Sequence, residues 1–117
     1  MDMTQAMEFA EEWVESWNSH DLDKILAHYE EDFEMSSPMI KKYEDVPSGK
    51  LKGKKDIASY WAGALKRSPN LHFTLLNVLV GANSVTLIYE GVRGLSAEVF
   101  HFSNSGKVES AYAHYNL

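Results

Sequence analysis

Residues 9–33 read FAEEWVESWNSHDLDKILAHYEEDF, and the periodicity of this stretch decides what the rest of the chain has to supply. Phe9, Trp13 and Trp17 recur every four residues, so three large rings share one stripe of a helix, while Glu8, Glu11, Glu12 and Glu15 take its wetter side. Asn18, Ser19 and His20 break the run. Leu22, Ile25, Leu26 and Tyr29 follow with the spacing of a second helix, which Asp21 is placed to cap with a side-chain oxygen. An aromatic wall of this size has to be covered by an apolar surface, and a sheet later in the chain is the expected cover.

Composition bounds the answer. A chain of 117 residues reads as one domain, 1–117, and buries roughly two thirds of its unfolded surface without covalent staples. It has no cysteine, which excludes disulfides and thiolate metal sites. His72, His101 and His114 show no ligand spacing, and His20 and His28 read as solvated, so neither a metal nor a cofactor is expected. A formal net charge of −6 offers no basic footprint for nucleic acid or an anionic membrane. With no signal-like leader and no apolar run of spanning length, a cytoplasmic location is expected.

Thr4 is a candidate cap for the first helix, and Glu30, Glu31 and Asp32 oppose the dipole at the end of the second. A short strand, 33–37, is expected to stop at Pro38, which lacks a ladder donor. Residues 40–55, with Pro47, Gly49, Gly53 and six lysines, read as a solvated loop. Helical spacing returns at Ile57, Tyr60, Trp61, Ala64 and Leu65, with Asp56 in the first turn, Lys66 and Arg67 in the last, and Pro69 beyond. From Leu71 the period becomes two. Strands over 71–81, 85–91, 95–103 and 108–115 are separated by gaps short enough only for antiparallel neighbours. Three helices followed by a meander make an α+β fold in which the sheet receives the aromatic stripes.

On the aromatic first helix, His20-Asp21-Leu22, Tyr29 with Asp32, the Gly53-to-Trp61 helix entry and the Glu98-to-Tyr112 hairpin, the chain resembles the nuclear transport factor 2-like superfamily, in its SnoaL-like and ketosteroid isomerase-like branch. The resemblance runs from Trp13 to Tyr115. It implies a cone-shaped α+β fold, three N-terminal helices on a curved antiparallel sheet. Laid over the chain, the isomerase pattern puts its catalytic Asp at Ser37 and its oxyanion-hole tyrosine at Trp13. Its supporting tyrosines fall at Tyr29, on the second helix, and Trp61, and its oxyanion-hole Asp falls at Glu98. The cyclase pattern puts its Asp at Ala113. Two principal isomerase positions and the cyclase acid therefore depart.

With Glu98 inward, as the resemblance implies, alternation puts Ser96 and Phe100 beside it and turns Val99 and His101 outward. Trp13, Trp17, Tyr29, Ser37, Trp61, Phe100 and Tyr115 are then the expected ligand-binding wall, and Glu98 the candidate catalytic group, its pKa raised by desolvation. A four-residue turn at 104–107 sets Ser103 opposite Val108 and Glu98 opposite Ala113, whereas a bulge at Gly106 would flip one strand's faces. The expected function is binding of a small hydrophobic or aromatic molecule. The alternative is an isomerase, cyclase or lyase acting on a carbonyl-containing hydrophobic substrate. Val99, His101, Tyr112 and His114 share the outer sheet face, which predicts a homodimer.

Overall fold

The computed structural model describes residues Met1–Leu117. Helix α1 spans Met3–Asn18 and buries Phe9, Trp13 and Trp17 on one stripe. Asp2 caps it rather than Thr4. Its carboxylate accepts from Gln5 N at 2.9 Å while Gln5 Oε1 accepts from Asp2 N at 3.0 Å, a reciprocal box that satisfies two free amides. Asp21 caps α2 as expected, accepting from Lys24 N at 3.2 Å.

Helix α2 is only Leu22–Leu26. Tyr29 is not on it but opens strand β1, Tyr29–Ser36. The helical spacing misled because a single helical turn followed by a strand also turns Ile25 and Tyr29 inward, both being fully buried. Pro38 ends β1 and takes the first position of a further short helix, α3, Pro38–Glu44, whose Ser37 cap accepts from Met39 N at 3.1 Å. Strand β2, Lys50–Lys52, follows. The expected loop over 40–55 therefore contains a helix end and an edge strand, hidden because each is too short to show a period. Helix α4, Lys54–Arg67, starts after Gly53, whose φ of 90° suits a residue without Cβ.

Strands β3 (Thr74–Gly81), β4 (Ser84–Gly91), β5 (Gly94–Phe102) and β6 (Val108–Tyr115) form the expected antiparallel meander. The six-stranded sheet has the order β2-β1-β6-β5-β4-β3. One pair departs from the antiparallel rule: β1 runs parallel to β6, with Met35 opposite Ala111. A parallel pair needs a long crossover, and here α3, β2, α4 and three meander strands supply it. Register breaks at Tyr29/Glu34, Leu75/Asn77 and His101/Phe102 help to curve the sheet, which stays unclosed with helices packed on it. Glu98 does oppose Ala113. Phe102, not Ser103, opposes Val108, so Glu109 is the extra residue, and this bulge lies at the turn, too far along to flip the faces beside Glu98. No helix is long and apolar enough to cross a membrane.

Strand β3 begins at Thr74 instead of Leu71 because side chains of the α1–α2 corner take the preceding backbone groups. The Asn18 amide donates to Phe73 O at 3.0 Å and accepts from Phe73 N at 2.6 Å, imitating a strand neighbour. His20, half-buried rather than solvated, places Nε2 2.8 Å from Leu71 O. Two lost hydrogen bonds to partly buried backbone groups predict that Asn18→Ala lowers stability by about 2 kcal/mol. Urea unfolding reads this directly, and an unchanged midpoint would mean that water replaces the amide without loss.

Candidate functional site

A cavity of about 270 Å³ lies between α1, α4 and the inner sheet face. Rings form its walls because α1 and α4 each present indoles toward the sheet. Trp13 stacks on Phe73 with centroids 5.5 Å apart and meets Tyr89 edge-on at 5.4 Å. Trp17 meets Trp61 edge-on at 5.3 Å. Offset and edge-on arrangements of this kind are preferred to a face-to-face sandwich.

Trp13, Trp17, Ser37, Trp61, Glu98 and Tyr115 line this cavity together. Tyr29 and Phe100 do not. Both are fully buried behind the wall. The Tyr29 hydroxyl accepts a hydrogen bond from Trp13 Nε1 at 2.9 Å, and Phe100 wedges between Phe9 and Trp13 at 4.9 and 5.3 Å. Alternation correctly turned Phe100 inward, but it could not tell the cavity from the core beneath α1. Tyr60, Phe73 and Tyr89 line the cavity although the linear reading passed over them. Tyr89 had a signal. It alternates inward with Val85 and Leu87, and closing the turn between Gly91 and Gly94 sets it opposite Ser96, diagonal to Glu98.

Glu98 is 4% exposed, and its Oε1 accepts from the Tyr89 hydroxyl at 3.1 Å. No cation pairs with it. Burial pushes its carboxyl up to about 7, against a smaller opposing effect of the Tyr89 hydrogen bond. Burial, followed by the Glu98 charge, also raises the phenols of Tyr89 and Tyr115. Burial raises Tyr60 too, and the nearby Ser37 hydroxyl partly offsets that effect. A carboxyl that carries its proton near neutrality can donate a hydrogen bond or exchange that proton. No group of three or more His, Asp or Glu side chains is arranged to hold a metal ion.

A helix layer over a curved sheet with an aromatic hollow between them defines a nuclear transport factor 2-like fold. The SnoaL-like domain profile matches residues 10–111, and the chain belongs to that family. A SnoaL-like protein of unknown function from Burkholderia thailandensis is 46% identical, with a TM-score of 0.96 over 99% of this chain and 98% of that one. SalBIII, an epoxide hydrolase/cyclase-like enzyme of pyran ring formation in salinomycin, shares the fold at 15% identity, with a TM-score of 0.79 over 99% and 94% of the two chains. A protein of unknown function with a cystatin-like fold from Methylobium petroleophilum does so at 16% identity, with a TM-score of 0.77 over 100% and 79%. No curated protein matches the chain.

The raised Glu98 pKa has a stability consequence of definite sign. The folded state holds a proton that the unfolded carboxyl, near 4.5, releases, so the contribution of Glu98 to stability is fully present below about pH 4.5 and is lost as pH rises through about 7. The full loss is on the order of 3 kcal/mol. Glu98→Gln keeps an acceptor for Tyr89 but cannot ionise. Urea midpoints measured from pH 4.5 to 8 should therefore show the variant gaining on the wild type as pH rises, and parallel profiles would contradict a buried acid.

Proposed function

We propose that the cavity binds a small apolar or aromatic molecule, with the protonated Glu98 carboxyl holding the ligand's polar atom. The observation that carries this reading is a nearly inaccessible acid in the wall of a 270 Å³ aromatic hollow, with only Tyr89 as its side-chain hydrogen-bond partner. Trp17 supports it, since its buried Nε1 has no partner and a ligand acceptor would satisfy that donor. The walls proposed for the ligand are Trp13, Trp17, Ser37, Trp61 and Tyr115, with Tyr29 and Phe100 as supports that hold Trp13. We expect 2-naphthol to raise the melting temperature saturably, by the equivalent of about 2.7 kcal/mol at one hundred times its dissociation constant. Ala64→Trp, which fills the cavity from α4, should abolish the shift while leaving the circular dichroism spectrum native. No shift in the wild type would overturn the reading.

A second reading rests on the same carboxyl. A pKa near 7 suits proton transfer at neutral pH, so the alternative is an isomerase-like or cyclase-like enzyme acting on a carbonyl-bearing hydrophobic substrate, as SalBIII acts in ring formation. Exchange of the α-hydrogens of 2-tetralone into deuterium oxide, followed by NMR, separates the two. Catalysis predicts exchange above buffer that Glu98→Gln removes while binding persists; a rate equal to buffer leaves binding alone.

The outer sheet face is the proposed homodimer surface. His101 and Tyr112 meet edge-on there at 5.7 Å, Val99 lies beside them, and Leu79 and Leu95 are more than half exposed. Light scattering should give twice 13.3 kDa for the wild type and a monomer for Val99→Glu. A monomeric wild type would remove the proposal.

A further inference from the structure

The cavity's charged lining is opposite in sign to the protein as a whole. The chain carries a net charge of −6, yet two arginines, Arg67 and Arg93, line the hollow along with Glu98 as its one acid. Both arginines are exposed, and they stand at the mouth on different elements. Arg67 closes α4, Arg93 sits in the β4–β5 turn, and Tyr43 near the end of α3 joins them. The Arg67 guanidinium lies 3.8 Å from the Tyr43 ring centroid, and Arg93 Nη2 donates to the Tyr43 hydroxyl at 3.1 Å. The Arg93 guanidinium is 6.0 Å from the same centroid. Gly63, one turn before Arg67, gives that head room, since a Cβ there would stand 3.2 Å from Nη1.

Neither arginine has a carboxylate partner. The two ion pairs within 4.0 Å are His28–Glu12 and Lys50–Glu34, both away from the mouth. Lys42 Nζ lies 5.4 Å from the Tyr43 centroid as well, and bringing this ammonium and the two guanidiniums to one phenol ring is unfavourable on Coulombic grounds. The ring stack and the phenol hydrogen bond orient the two groups, but they leave most of the ten guanidinium N–H donors unused. A planar anion fits those donors best, because a guanidinium presents them as a fork that matches a carboxylate. The surrounding negative charge selects further. A dianion is repelled by the net field about twice as strongly as a monoanion.

We propose that Arg67, Arg93 and Tyr43 form a carboxylate-recognition site at the cavity mouth, and that the ligand is an amphiphilic monoacid with its apolar or aromatic body inside. This rests on the cavity reading above and adds the polarity and orientation of the ligand. An acid entering ring-first leaves its carboxylate on the solvent side, so Glu98 is left to hold a second polar atom carried on the body, and the two carboxyls do not compete for one place.

The test compares 2-naphthoate, 2-naphthamide and 2-naphthyl phosphate by quenching of tryptophan fluorescence and by calorimetry. The acid should bind about tenfold tighter than the amide, as charge-assisted hydrogen bonds require. Arg67→Gln and Arg93→Gln, both at exposed positions, should each bring that ratio most of the way towards one, and added salt should do the same. Equal binding of acid and amide would overturn the carboxylate site while leaving the cavity reading intact. Tighter binding of the phosphate would overturn the monoacid assignment. Failure of all three probes to bind, with the protein folded, would remove the cavity reading and this inference together.

Discussion

An indole N–H cannot be buried without an acceptor except at a penalty of 1–3 kcal/mol or so, and Trp13 is 1% exposed. The Tyr29 hydroxyl supplies that acceptor at 2.9 Å. This single bond joins the middle of α1 to the first residue of β1 and so sets how the helix layer sits over the sheet. Once Trp13 is held, Phe73, Tyr89 and Phe100 have a face to pack on. Burial also raises the Tyr29 phenol well above its ordinary value, which keeps it protonated at neutral pH.

The hollow exists because small residues stand where large ones would fill it. Ser96 lines it two residues from Glu98 on the same face, Gly91 lines it at the end of β4, and Ala64 lines it from α4. The rings around them are braced by one another and cannot slide inward without losing their own contacts. A carboxyl in this setting is buried and pairs with no cation, and its burial raises it to about 7. The same absence of collapse that leaves room for a ligand therefore sets the protonation state of the group that would meet it.

Family membership carries the frame and not the chemistry. Ser37, where the resemblance implies the isomerase Asp, caps α3 by accepting from Met39 N and also lines the cavity. Glu98 is the one acid that lines the cavity, among phenols, indoles, Ser37, Ser96 and the two arginines at its mouth. The same scaffold in SalBIII serves ring formation, which illustrates how side chains rather than strand order decide activity.

How much of this could be read from the chain follows the range of each interaction. The four-residue spacing of Phe9, Trp13 and Trp17, the Asp21 cap, α4 from its apolar rows, and the four meander strands with Glu98 opposite Ala113 were all legible, because each depends on neighbours within a turn or across a short hairpin; that Glu98 faces inward was implied by the family resemblance. The strand identity of Tyr29 was not, nor was α3 inside residues 40–55, since elements this short take their conformation from what they pack against. The parallel pairing of β1 with β6, the break between cavity wall and hidden core that separates Trp61 from Tyr29 and Phe100, and the meeting of Tyr43, Arg67 and Arg93 join residues tens of positions apart. Sequence alone determined which faces are apolar and which strands are hairpin neighbours, because those are set by local backbone geometry. Only the tertiary structure decided where that apolar surface stops short of filling its own interior, because an empty volume is a property of several elements at once and of no single segment.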